Sequence, residues 1–117
     1  MIKSFKDLKV WQKAHELALL IYRLTTKFPN EERFGLTSQM RRAAISVPSN
    51  IEEGFQRSYK KVSINFYDIA DGSLEELKYQ LLLSKDLKYI TLDEYNNALS
   101  LSEEVSKMLS SWSKTQK

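Results

Sequence analysis

Apolar residues recur every three to four positions along most of this chain, and breakers divide that rhythm into four helical stretches. The first runs from about Lys6 to Phe28, with Leu8, Trp11, Ala14, Ala18, Ile21 and Phe28 in helical register. Leu17, Leu20 and Leu24 widen its apolar arc enough to touch two neighbours. Phe28-Pro29-Asn30 ends it, because the residue before a proline avoids the α region. The second runs from about Leu36 to Gln56, with Met40, Ala43, Ala44, Val47, Ile51 and Phe55 on its apolar side. The third, about Tyr59 to Tyr89, has Ser58 as its expected N-cap. Phe66, Ala70, Leu74, Leu77, Leu81 and Ser84 fall near a seven-residue repeat along it. The fourth, about Leu92 to Trp112, opens on Thr91-Leu92-Asp93-Glu94, a capping box. Leu92, Tyr95, Leu99, Ser102, Val105, Leu109 and Trp112 carry its heptad, and residues 113–117 read as a frayed polar end.

No stretch alternates as a strand does. Four such helices with short connections make one all-α domain, an antiparallel up-down-up-down four-helix bundle. The second helix carries Pro48 in its interior, where a proline removes one backbone hydrogen bond and costs ~3 kcal/mol. That predicts a proline-bent helix, with Ser46 or Asn50 satisfying the freed carbonyl. Ala43, Ala44, Ser46, Ser49 and Gly54 are small and allow close helix packing there. Gly72 interrupts the third helix and would let another backbone approach.

Composition narrows the chemistry. The 117 residues include no cysteine, which excludes disulfides and thiol catalysis and fits a reducing cytoplasm. His15 is the single histidine, and Gln12 stands three residues before it, so neither a zinc set nor the Glu-x-x-His pattern of di-iron bundles is present. His15 therefore reads as a core-edge or surface residue. Gly35, Gly54 and Gly72 are too dispersed for a phosphate loop. Glu52-Glu53, Glu75-Glu76, Asp93-Glu94 and Glu103-Glu104 are adjacent pairs that diverge on a helix, so they do not converge on a reaction. The expectation is a protein without catalytic residues, metal or cofactor. The opening segment has no apolar h-region, and Leu17–Tyr22, the longest apolar run, is too short to span a membrane. A cytoplasmic location is expected.

Charge is polarised. Net charge is +3 overall, but residues 33–61 hold six basic and two acidic side chains, while residues 62–104 hold three and nine. Arg41, Arg42, Arg57, Lys60 and Lys61 are the candidate nucleic-acid contacts, since arginine and lysine neutralise phosphates. Pairing with Asp68, Asp71 and Glu75 of the third helix is the favoured alternative for Arg41 and Arg42. Glu53 can also pair with Arg57 one turn away. Trp11, Trp112 and the tyrosines can stack on bases, but at helical spacing they serve more often as core or interface anchors.

The run Gln39–Arg42, Ser46-Val47-Pro48-Ser49-Asn50-Ile51 and Glu53-Gly54-Phe55 resembles the family of four-helix bundle proteins also called 23S rRNA intervening-sequence proteins. Phe5–Ala14 is similar to the family's opening motif, and Ile69–Leu77 to its third-helix motif. Glu52 departs from it, standing where the family more often has alanine. In that light Pro48, Asn50, Glu53, Gly54 and Gly72 form a structural signature. The resemblance implies a ring-like homopentamer without enzymatic activity. A related branch comprises accessory proteins of diversity-generating retroelements, which bind nucleic acid and a reverse transcriptase. Two functions follow as expectations: an oligomer that binds structured RNA or DNA through a basic surface, or a scaffold for an element-encoded protein partner.

Overall fold

A computed structural model describes residues 2–116. Four α-helices, α1 (Lys9–Thr25), α2 (Leu36–Gln56), α3 (Lys60–Asp86) and α4 (Leu92–Thr115), form a bundle of 43 × 25 × 20 Å. Each helix packs on the next in sequence, and α4 closes the square against α1. The α2–α3 pair makes the most extensive contact. No strand occurs among the described residues.

The core stripe follows the expected period, with shifts of one position. Val10, Ala14, Leu17, Ile21 and Leu24 are buried on α1, while Trp11 sits half-buried at the edge. On α3 the buried aromatic is Tyr67 rather than Phe66. Phe66 turns half outward, beneath the Arg57 guanidinium 5.1 Å from its ring. On α4 the stripe is Ala98, Ser102, Val105 and Leu109, so Ala98 takes the place expected for Leu99. Ser84 and Ser102 lie in the core and donate to the carbonyls one turn back, both at 2.8 Å.

Helix ends differ from the sequence expectation for local reasons. Phe5–Asp7 is a separate 3-10 turn, closed by a capping box between Ser4 and Asp7. Extended backbone at Leu8 separates it from α1. Thr25 Oγ1 and Thr26 Oγ1 donate to the carbonyls of Ile21 and Tyr22, at 2.7 and 2.8 Å. The amides of Lys27 and Phe28 then bond three residues back, so α1 stops at Thr25 instead of Phe28. Tyr59, not Ser58, precedes α3, and no side chain caps that end. The α3 helix stops at Asp86 because Lys88 takes a left-handed φ of 65°. The amides of Tyr89 and Lys88 then bond Ser84 O and Lys85 O, at 2.9 Å each, in a Schellman closure. Past the expected end at Trp112, α4 gains one turn, where Thr115 Oγ1 donates to Trp112 O at 2.7 Å. Lys117 lies outside the described residues.

The α2 helix continues through Pro48, which is buried. Asn50 Nδ2 bonds Ser46 O at 2.8 Å and Ser46 Oγ at 3.0 Å, and Ser73 Oγ donates to Ser46 Oγ at 2.8 Å. These polar groups thus tie α2 to α3, instead of serving the Ala44 carbonyl that Pro48 frees. Gly54 makes room for the Tyr67 ring of α3: a Cβ there would lie 2.4 Å from Tyr67 Cε1. At Gly72 a Cβ meets nothing within 4 Å, so no other part of this chain approaches there.

Candidate nucleic-acid interface

Three cross-helix contacts set the register of α2 against α3. Ser84 meets Met40, Ser73 meets Ser46, and Tyr67 meets Gly54. Arg41 and Arg42 therefore lie level with the last turns of α3, whereas Arg57, Lys60 and Lys61 surround the α2–α3 connection. Sixteen residues of one helix separate Arg41 from Arg57, about 24 Å at 1.5 Å per residue. The five candidate residues do not form one patch; they fall at opposite ends of the bundle.

Arg41 is a structural residue. Its Nε donates to Thr25 Oγ1 at 2.9 Å, a second guanidinium nitrogen reaches Tyr22 O at 3.5 Å, and the group stacks 4.6 Å from the Tyr22 ring. It closes the C-terminus of α1, where unpaired carbonyls favour a cation. The expected pairing with Asp68, Asp71 or Glu75 does not occur, because Arg41 turns to the end of α1. Asp68 and Asp71 instead line a cleft with Lys114, and Glu75 pairs with Lys78 at 3.1 Å. Arg42 is exposed and has no ion-pair partner among the described residues.

At the other end, Arg57 forms the expected pair with Glu53 while lying over Phe66. Both interactions hold its guanidinium in place and leave it solvent-exposed. Lys60 and Lys61 open α3, are exposed, and have no ion-pair partner among the described residues. The first turn of α3 contains no acid, and its backbone amides point the same way. Antiparallel topology adds the exposed Lys3 and Lys6 of the chain's start to this end. Charge summed by segment does not show this convergence, whereas an up-down-up-down topology brings the chain's start beside the α2–α3 connection.

The opposite end is mixed in charge and tied together. Lys27 pairs with Glu94, whose carboxyl is held below the ordinary glutamate range by Lys27 and then by the Thr91 amide. Tyr89 donates to Glu32 Oε2 at 2.9 Å, and that carboxylate pushes the phenol up. Glu32 Oε1 also accepts the Leu36 amide at 3.2 Å, bracing the α1–α2 connection. From it Phe34 projects into solvent, 88% exposed.

An apolar groove runs along α1 and α2, lined by Phe5, Trp11, Leu19, Tyr22, Ile45 and Pro48, with a volume of about 430 Å³. His15 lies exposed there, stacked on Trp11 with ring centroids 5.1 Å apart. Glu52, the departure from the family pattern, borders the same groove. Among the described residues no cluster of His, Asp and Glu is arranged to hold a metal ion. No helix among them is long and apolar enough to cross a membrane.

The family model described as "23S rRNA-intervening sequence protein" matches residues 6–111. A solved structure from Bacteroides thetaiotaomicron, described as a protein of unknown function from the S23 ribosomal protein family, superposes with a TM-score of 0.83. It is 32% identical, and the match covers 90% of this chain and 98% of that one. No curated protein matches the sequence.

Proposed function

We propose, from the premise that this chain belongs to the 23S rRNA-intervening sequence protein family, that it is a non-enzymatic, homo-oligomeric protein that binds structured RNA or DNA. The observation that carries this reading is the end of the bundle where Arg57, Lys60 and Lys61 are exposed at the start of α3. Lys60 and Lys61 have no acid to pair with among the described residues, and a helix N-terminus adds its own positive potential. One copy carries only +3. A ring of five, as the family resemblance implies, would repeat the basic end five times and turn a weak field into a strong one. Arg42 forms a second, separate exposed cation, and Arg41 is assigned to structure.

Binding of a structured RNA should weaken steeply between about 50 and 200 mM salt as counterions are released. Replacing Arg57, Lys60 and Lys61 with glutamine should flatten the log–log salt slope by roughly 2–3 per protomer engaged, at about 0.7–0.9 per phosphate contact. Arg42→Gln should change the slope by at most about one. Salt-independent binding, or none, refutes the reading.

A second reading, a scaffold that presents equivalent sites to a protein partner, is favoured by the exposed α1–α2 groove and by Phe34. Exposed aromatics on a braced backbone are the usual anchors of such contacts. Under this reading the triple glutamine variant keeps its function, while Leu19→Glu with Ile45→Glu loses it. Native mass spectrometry before and after nuclease separates the two: nucleic-acid mass on the oligomer supports binding, and a clean oligomer supports the scaffold.

A further inference from the structure

The start of the chain and the last turns of α4 line a second, open cleft, apart from both the basic residues of α3 and the α1–α2 groove. Its volume is about 650 Å³, within the range of small-molecule sites. Ile2, Leu8, Val10, Met108 and Trp112 form its apolar walls. Leu8 and Val10 also belong to the core, which fixes that side, while Ile2 is half exposed on the arm before the first turn. Lys9 and Lys107 line the cleft, exposed and without an ion-pair partner among the described residues. Asp7, the one acid lining it, is already engaged: its Oδ2 accepts the amides of Lys3 and Ser4 at 2.9 and 3.1 Å. The charge left free there is positive.

We propose that this cleft binds a small amphiphilic anion, a carboxylate carried on a hydrocarbon or aryl body. The body lies against Met108 and Trp112, where a methionine adapts to irregular shapes. The carboxylate takes the ammonium groups of Lys9 and Lys107. The cleft is open to solvent but has room for a single small ligand, whereas a protein partner needs roughly 800 Å² of surface on each side. Uncommitted lysines beside an apolar wall select an anion over a neutral or cationic amphiphile of the same length.

The test uses the full chain with Trp11→Phe, which leaves Trp112 as the reporter, titrated with dodecanoate and with dodecanol below their aggregation limits. Dodecanoate should change Trp112 emission saturably and raise Tm. Lys9→Gln with Lys107→Gln should lower dodecanoate affinity about fivefold while leaving dodecanol binding and the unliganded Tm unchanged. Ser111→Phe, which fills the cleft, should abolish the response to both. No saturable response, or equal affinity for acid and alcohol in the parent chain, overturns the proposal. So does an emission change that follows protein concentration instead of ligand, which would make the cleft a contact between copies.

Discussion

At the scale of single residues, two glycines of the signature act in opposite ways. A methyl group on Gly54 would meet the Tyr67 ring at 2.4 Å, and Tyr67 is wedged in the core with 2% exposure. Gly54→Ala should destabilise the fold by about 1–3 kcal/mol, as overpacking does. Gly72 faces open space in the middle of a helix, so Gly72→Ala should stabilise it by about 0.5–1 kcal/mol. Urea denaturation of the two variants checks both signs at once. The role of Gly54 was legible in the sequence, because a glycine among Ala43, Ala44, Ser46 and Ser49 marks close approach. At Gly72 the sequence shows a missing side chain but not that the face it leaves is open within one chain. The same blindness hid the partner of Arg41. Nearby acids were counted as candidates, yet the α2–α3 register gave it the carbonyl end of α1.

At the scale of helices, periodicity located all four, and the ends depended on side chains that compete for backbone groups. The box between Thr91 and Glu94 could be read directly, because both partners lie within one turn. The stop at Thr25 could not, because two threonine hydroxyls turn back on their own helix there. Nor could the stop at Asp86, which needs a lysine in the left-handed region. The box is also tied to the turn after α1 through Lys27, and that link is sensitive to pH. The Glu94 carboxyl is lowered chiefly by its hydrogen bond from Lys27. A carboxyl lowered by folding adds stability above its unfolded pKa, and that stability is lost as pH falls through the lowered folded value. Wild type should therefore exceed Glu94→Gln in stability near neutral pH, by on the order of 0.5 kcal/mol for so exposed a pair. The gap should close on acidification below the ordinary glutamate range, as followed by the denaturation midpoint at each pH.

At the scale of the whole molecule, the arrangement of four antiparallel helices was legible from pattern alone, while the distribution of charge over its surface was not. The basic second quarter of the sequence splits between the two ends, and the basic start of the chain joins one of them. Antiparallel topology has a further, mechanical consequence. Ile2 and Thr115 line the same cleft at one end of the bundle, so a force applied through the two termini acts across the α1–α4 seam, not along it. Such a load breaks the contacts between α1 and α4 one turn at a time, whereas a load along parallel axes must shear them together. Held by residues 2 and 116 in an optical trap, the domain should open like a zipper at low force. Held instead by Ile2 and the α1–α2 connection at Phe34, which lies at the far end, it should resist to a distinctly higher one.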